Sequence, residues 1–256
     1  MPLATFENPP LNEVSFGVHF SPISGFKTAH YGALWSRLGP AFDQTEDKPV
    51  VAGITLPPTA EWFPLPRVWF VERGKAVLLQ IQPNRFYFNW RKGGPGTPYP
   101  RFDSLEPLFE KYFSLFLSFM KEMDLGVPEI TGAELAYVNH LPQGQGWTSL
   151  QEVQEVFPSI SLPSAPSLGL VDGLLWHVVF DTEAGRFDAD VKSGKQKAEP
   201  HEGVLLFEMK VTQEARLGSM ENLREWLSNA NNSIVAGFLE LTSEKMQNEV
   251  WRRVRS

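Results

Sequence analysis

Six polar residues that alternate along one stretch of the chain could together recognise an anionic or amide-bearing group. The stretch covers positions 67–91, RVWFVERGKAVLLQIQPNRFYFNWR, and the six candidate binding residues are Gln80, Gln82, Arg85, Tyr87, Asn89 and Arg91. Amide and guanidinium groups at about 5 Å cross-strand spacing can bind a carboxylate, a phosphate or an exposed backbone edge. A solvated sheet face also needs polar residues, but such faces more often carry Lys, Glu and Thr than Gln, Asn, Tyr and Arg.

A second group of candidates is acidic and lies in the C-terminal half: Asp181, Asp188, Asp190 and Glu208. Carboxylate oxygens of this kind suit Mg²⁺ or Mn²⁺ and phosphoryl chemistry. Hairpin ends are also commonly charged, and Lys210 stands close to Glu208 in the sequence. Both interpretations remain open, and the pattern favours a charged strand surface over a metal site.

Other catalytic chemistries find no support in the residue pattern. The chain has no cysteine, and none of its histidines has the spacing of a zinc site; they are His19, His30, His140, His177 and His201. Motifs of serine hydrolases, phosphate-binding loops and dinucleotide-binding folds are also missing. Glu134 and His140 share a strand face, but six residues separate them by about 20 Å, too far for an acid–base pair. We therefore predict no catalytic residue, no bound metal and no cofactor.

The candidate binding residues share a face only if the chain turns back at Pro83-Asn84. On the face that carries the polar residues, this hairpin pairs Gln82 with Arg85, Gln80 with Tyr87, and Leu78 with Asn89. The opposite face then pairs Ile81 with Phe86, Leu79 with Phe88, and Val77 with Trp90. A second turn at Arg73-Gly74 adds Val68 and Phe70 to the apolar face and Arg67 and Trp69 to the polar face. We expect the polar face to line an open surface or groove.

Hydrophobic periodicity along the rest of the chain predicts an α+β fold with two similar halves. Strands are predicted over 13–20, 50–56, 133–141, 174–181, 186–191 and 204–211, and helices over 26–38, 104–123, 149–156 and 219–241. Each half has an antiparallel meander followed by one long amphipathic helix. We interpret this as a pseudo-repeat that shares one curved sheet with both helices on one face. The predicted halves are 1–145 and 173–256, joined by 146–172, with a single globular domain as the alternative.

Composition bounds the class of protein. The 256 residues are 42% hydrophobic and 21% charged, as in soluble globular proteins. The N-terminus lacks a signal-peptide pattern, and no apolar run approaches the ~18–20 residues that span a bilayer, so we expect a cytosolic protein without a membrane partner. A net charge of −7 argues against broad nucleic-acid binding. The sequence does not determine the oligomeric state, although exposed edges of open sheets are compatible with a homodimer.

Four short segments, in order, resemble a family. They are NPPLNEVSFGVHF near the start, QIQPNRFYFNWRK followed by YPRF, ELAYVNHL, and FLELTSEKMQNEVW near the end. Together they resemble a sporadically distributed bacterial family of uncharacterised proteins, over nearly the whole chain. The resemblance implies no established activity, cofactor or catalytic residue. Members tend to carry a histidine in the C-terminal helix where this chain has Asn229, Asn231 and Asn232, so no role for that histidine transfers.

The sequence favours a non-enzymatic bacterial cytosolic protein that recognises a protein segment or a small anionic ligand. Its binding face would be the polar meander side around Arg85, Asn89 and Arg91. A divalent-metal-dependent hydrolase or nuclease-like enzyme, using the acidic strands, is one alternative. Nucleic-acid binding through Arg67, Arg85 and Arg91, with Tyr87 and Trp69 as stacking rings, is the other.

Overall fold

The computed structural model of the chain is an α+β protein with antiparallel sheets, which confirms the predicted fold class. It describes residues 4–51, 65–94, 97–195 and 203–254. The strands are β1 (Thr5–Phe6), β2 (Leu11–Phe20), β3 (Phe42–Lys48), β4 (Arg67–Glu72), β5 (Val77–Gln82), β6 (Arg85–Arg91), β7 (Ile130–Pro142), β8 (Leu175–Thr182), β9 (Gly185–Lys195), β10 (Gly203–Gln213) and β11 (Arg253–Val254). The α-helices are α1 (Thr28–Leu38), α2 (Phe102–Glu122), α3 (Val153–Val156) and α4 (Met220–Leu241). Within the described ranges, no helix is both long enough and apolar enough to cross a membrane.

In the described part of the chain, nine strands form one sheet in the order β3-β4-β5-β6-β2-β7-β10-β9-β8, and β1 pairs with β11 in a separate ladder. The backbone divides into two compact units, and the division falls inside β2 and β7. The N-terminal unit comprises Val14–Glu134 and Glu214–Leu223. The C-terminal unit comprises Met1–Glu13, Leu135–Gln213 and Arg224–Ser256.

The core of the N-terminal unit lies between the apolar sheet face and helix α2. Phe16 of β2 lies against Phe88 of β6 and Phe109 of α2, with ring centroids 5.8 and 5.3 Å apart. Phe86 packs against Phe113 at 5.2 Å. The aromatic stripe of α2 recurs every three or four residues, so a single helix face delivers these rings to the sheet.

The β5–β6 hairpin has the register that the sequence predicts. Its six pairs run from Val77 opposite Trp90 to Gln82 opposite Arg85, with Pro83 and Asn84 between the strands. The rings of Phe86 and Phe88 are almost completely buried on the apolar face. Alternation of chemistry along both strands was therefore enough to fix the pairing, because a one-residue slip would have exposed every one of these rings.

The β4–β5 connection is longer than the predicted two-residue turn. Val71 lies opposite Leu78, so the pairing is displaced by two residues from a turn at Arg73-Gly74. Lys75 takes a positive φ of 58°, and its N–H donates to the carbonyl of Glu72 at 2.7 Å. A displacement of two preserves the strand faces. The apolar and polar sides of β4 are consequently as predicted.

The C-terminal unit repeats the connectivity of the N-terminal unit. Its strands are ordered β7-β10-β9-β8. Strand β7, which precedes the short helix α3, lies next to β10, the last strand of the meander. In the N-terminal unit, β2 precedes α1 and lies next to β6 in the same way. Phe238 of α4 stacks on Phe207 of β10 at 6.2 Å. Helix α4 approaches its sheet closely at Gly237, where a Cβ atom would lie 2.5 Å from the Phe187 ring. The repeat inferred from the sequence pattern is therefore present in the topology.

Two local predictions differ from the structure. Strand β3 (FDQTEDK) lies where the sequence predicted an irregular connection, because its exposed, charged residues hide the strand pattern. The predicted edge strand at 50–56 lies mostly outside the described residues. Helix α2 begins at Phe102, two residues before the predicted cap Ser104, with Arg101 at φ 70° preceding it.

Candidate functional site

The polar meander face is mostly buried, which corrects the expectation of an open surface. Gln80, Gln82, Tyr87 and Asn89 are 7%, 0%, 4% and 2% exposed, while Arg85 and Arg91 are partly exposed. One covering contact comes from the segment after β3, where the Val51 N–H donates to Gln82 Oε1 at 3.0 Å. The Gln82 amide in turn donates to Asn84 Oδ1 at 2.8 Å. Most of the six candidates are therefore structural partners of each other and of the backbone.

Gln80 is the centre of a hydrogen-bond network on this face. Its Oε1 accepts from Arg67 Nη1 at 3.0 Å and from the Trp69 indole N–H at 2.9 Å. Its Nε2 donates to Asn89 Oδ1 at 2.7 Å. Cross-strand placement explains the network, since Trp69 lies opposite Gln80 on β4 and Tyr87 lies opposite it on β6. The Gln80 network fixes the orientation of the Trp69 ring.

Three cations surround that ring. Lys48 Nζ lies 4.5 Å from the ring centroid, and the guanidinium carbons of Arg91 and Arg67 lie 4.8 and 5.7 Å from it. We call Lys48, Arg67, Trp69 and Arg91 the Trp69 cation cluster. Burial lowers the pKa of Arg67 from its ordinary value, because desolvation disfavours the charged guanidinium. Within the described residues, Arg67 Nε has no hydrogen-bond acceptor.

The Glu46 carboxylate moderates the charge of the cluster. Glu46 lies opposite Trp69 on β3 and pairs with Lys48 at 2.5 Å. The hydrogen bond from Lys48, followed by its charge, lowers the pKa of the Glu46 carboxyl. The cluster therefore presents three cations and this carboxylate around one indole ring, a surface that is electrostatically suited to an anion.

A second network joins Arg85 and Tyr87 to residues from β2 and β7. Arg85 Nη1 donates to the Tyr87 hydroxyl at 2.8 Å and lies 3.7 Å from Glu134 Oε2. His19 Nε2 lies 3.2 Å from both Glu134 Oε2 and Arg85 Nη1. This nitrogen can donate to Glu134 or accept from Arg85, but not both, so the tautomer of the ring decides between them. Burial, and then the Glu134 charge, raises the pKa of Tyr87 well above its usual value. We call these four residues the Glu134 network.

Gly17 leaves the space that this network occupies. A Cβ atom on Gly17 would lie 2.5 Å from Glu134 Cγ and 2.6 Å from Tyr87 Cε1. Gly17→Ala is therefore expected to lower the free energy of unfolding by about 1–3 kcal/mol, through overpacking. Urea denaturation measures this change.

Gly32→Ala is the matched control for Gly17→Ala. Gly32 lies in α1, and a Cβ atom added there would have no neighbour within 4 Å. This control should raise stability by about 0.5–1 kcal/mol, because alanine favours a helix interior. Equal losses of stability in the two variants would show that the Glu134 network does not pack closely against Gly17.

Two of the four acidic candidates in the C-terminal unit, Asp188 and Asp190, are paired with cations. Asp188 receives two hydrogen bonds from Arg186 Nε and one from its Nη2, at 2.8–3.1 Å, and the Arg186 contacts lower the pKa of Asp188. Asp190 lies 3.2 Å from His177 Nδ1 and 3.7 Å from Lys192 Nζ. Asp181 lies opposite Arg186 in the β8–β9 ladder, and Glu208 lies opposite Asp190 in the β9–β10 ladder.

Metal binding has no geometric basis in the described part of the chain. No group of three or more His, Cys, Asp or Glu side chains there could hold a metal ion. Burial lowers the pKa of His140, and His30 Nδ1 accepts from its own helix cap, the N–H of Lys27. His201 lies outside the described residues.

Comparison of the chain with protein-family models gives no match, and comparison with curated proteins gives no significant match.

Sequence reasoning missed the partners that the polar face acquires from distant strands. Glu134 meets His19, 115 positions away, rather than His140. Lys48 joins Trp69 through β3, a strand that the sequence pattern did not predict. One signal was present: alternation in EVSFGVHF puts Gly17 and His19 on the face opposite the buried Phe16 and Val18. Strand order decides which residues lie beside them, and a single sequence does not encode that order in a readable pattern.

Proposed function

We propose that this chain is a non-enzymatic binding protein that recognises an anionic group, a phosphate or a carboxylate, at the Trp69 cation cluster. The observation that carries the proposal is the presence of three cationic side chains within 6 Å of one indole ring. We also propose that the chain belongs to the bacterial family that its sequence resembles and that it is a cytosolic protein.

Mutual repulsion among the cations supports an anionic ligand. An aromatic ring offsets only about 0.5–1 kcal/mol per cation at exposed sites. Arg67 is partly desolvated, which adds to the cost of holding the charges together. An anion would form charge-assisted hydrogen bonds with these donors and reduce the repulsion. The Gln80 network holds two members of the cluster in place before any ligand arrives, so little ordering entropy would be lost on binding.

This proposal narrows the six candidate binding residues to one end of the polar face. Arg91 belongs to the cluster. Gln80 accepts hydrogen bonds from two cluster members, Arg67 and Trp69, and donates one to Asn89. Gln82, Arg85 and Tyr87 lie in buried or partly buried networks instead. Nucleic-acid binding loses one of its two stacking rings, because Tyr87 is only 4% exposed. The metal-dependent alternative gains no support, since Asp188 and Asp190 are paired with Arg186, His177 and Lys192.

The test is a calorimetric titration at low ionic strength with two separate probes, inorganic phosphate and a short glutamate-rich peptide. Binding of one probe identifies the anion source. A Lys48→Gln, Arg91→Gln double variant keeps the hydrogen bonds that Gln80 forms with Arg67, Trp69 and Asn89, and it removes two cations from the cluster. Charge-assisted hydrogen bonds are worth about 1.5–3 kcal/mol each, so the loss of two should lower the affinity by at least about 100-fold.

The matched control removes the same charge from the same sheet. Arg73 and Lys75 lie in the β4–β5 turn, outside the cluster, and Arg73 has a side chain that is 73% exposed. The Arg73→Gln, Lys75→Gln variant should bind the probe with little change. The proposal fails if neither probe binds the unaltered protein, or if both double variants lose affinity equally, which would indicate a diffuse charge effect.

A further inference from the structure

Strand β8 presents an apolar edge at the end of the sheet order in the C-terminal unit. It pairs with β9 on one side and is the last strand in the described sheet. Leu175, Val179 and Phe180 are 72%, 40% and 42% exposed. Edge strands with exposed apolar residues can pair with another chain, because their outer N–H and C=O groups have no ladder partner.

Strand β3, which ends the sheet order in the N-terminal unit, has the features that block such pairing. Its sequence is FDQTEDK, with acidic side chains at Asp43, Glu46 and Asp47. The ladder with β4 is irregular between Phe42 and Gln44. Charge and a bulge both protect an edge. Strand β8 carries LWHVVFDT in a regular ladder and has neither protection along most of its length.

The backbone phase of β8 shows which of its groups point outward. The Ser193 N–H donates to the Leu174 carbonyl at 3.0 Å, so Leu174 directs its carbonyl towards β9. Direction alternates along an antiparallel strand, so even-numbered residues of β8 bond to β9 and odd-numbered residues direct N–H and C=O to the free edge. A second strand can therefore bond only to Leu175, His177, Val179 and Asp181.

We infer that two copies of this chain pair through β8 as an antiparallel homodimer centred on Val179. Odd residues must face odd residues, and the register that places Val179 opposite Val179 of the second copy also places His177 opposite Asp181. Val178 then lies opposite Phe180 on the other face. The pairing is isologous, so each contact occurs twice. It places Val179 beside Val179 and His177 beside the Asp181 carboxylate on one face, and Val178 beside Phe180 on the other.

A neighbouring register of the two β8 strands matches their side chains less well. Displacement of the second strand by two residues places Val179 opposite His177 and Leu175 opposite Asp181, which mixes apolar and charged side chains. His177 lies 3.2 Å from Asp190 and 3.7 Å from Asp188 within its own chain, and 46% of its side chain is still accessible. Asp181 is also exposed, so the two residues can meet across the pairing. Strand β8 contributes no residue to the Trp69 cation cluster, and the homodimer does not depend on anion binding.

Disulfide trapping tests the pairing and its register. The chain contains no cysteine, so a single Val179→Cys substitution introduces one thiol per copy. Directly opposed hydrogen-bonded residues have Cα atoms about 5.5 Å apart, within the range of a disulfide. We expect mild oxidation to give a covalent dimer. Leu175→Cys is the control, because the same register separates the two Leu175 positions by about 27 Å.

Association in solution gives an independent readout. Light scattering behind a sizing column should give twice the 28.9 kDa chain mass for the unaltered protein and a single chain mass for Val179→Lys, which opposes two like charges. Thr45→Lys on the exposed β3 edge should remain dimeric. A monomeric unaltered protein, or cross-linking of Val179→Cys no faster than of Leu175→Cys, would overturn the inference.

Discussion

Replacing Phe88 with alanine is expected to lower the free energy of unfolding by about 3–5 kcal/mol, because it removes a buried ring and leaves a cavity. Phe88 is 0% exposed. Its ring meets Phe16 edge-on at 5.8 Å and stacks on Tyr112 of α2 at 6.1 Å. These neighbours belong to a strand and a helix that pack rigidly, so the cavity cannot collapse fully. A shift of the urea midpoint, at unchanged slope, measures the loss.

Leu108→Ala provides the comparison, on the helix α2 whose Tyr112 stacks on Phe88. Leu108 is 37% exposed, and its loss should cost less than about 1 kcal/mol, as for most surface changes. A similar midpoint for the two variants would mean that Phe88 does not lie in the core between the sheet and α2.

Replacing Gln80 with methionine is expected to cost about 2–4 kcal/mol, although the side chains are similar in length. The change removes the acceptor of Arg67 Nη1 and of the Trp69 indole, and the donor to Asn89 Oδ1. Each buried polar group that loses its partner costs about 1–3 kcal/mol, and partial exposure of Arg67 and Trp69 reduces the sum. Urea denaturation gives the size of the loss. Indole fluorescence should also report a reoriented Trp69.

Gln44→Met is the matched control, since it makes the same substitution on the exposed strand β3. It should change stability by no more than about 0.5 kcal/mol. If Gln80→Met were as mild as Gln44→Met, the polar face would be ordinary solvated surface, as the alternative interpretation of the sequence held.

Local alternation predicted much of the fold. The apolar and polar periods of QIQPNRFYFNW fixed a register across a two-residue turn, because both strands have a strong chemical contrast between their faces. The same contrast is weak in β3, where nearly all residues are exposed, and the strand escaped prediction. The turn after β4 was misjudged because the positive φ falls on Lys75, a residue type that rarely adopts it, and not on Gly74.

The candidate site was harder to predict because its geometry depends on contacts between distant strands. Polar residues at alternate positions usually indicate solvent, yet Gln82 is fully buried and Asn89 nearly so. Their burial depends on partners such as Val51, and the cluster depends on Lys48, more than twenty positions from Trp69. Which strand lies beside which is a property of topology, and residue spacing within one hairpin carries no information on it.

Nuclear magnetic resonance of the tryptophan indole N–H groups tests the proposed anion site most directly. The chain has eight tryptophans, and a Trp69→Phe spectrum assigns the Trp69 signal by its loss. Titration with inorganic phosphate or the glutamate-rich peptide, at constant ionic strength, should move this signal saturably in the unaltered protein and not in Lys48→Gln, Arg91→Gln. A Trp69 signal that stays fixed through both titrations would contradict anion recognition at the Trp69 cation cluster.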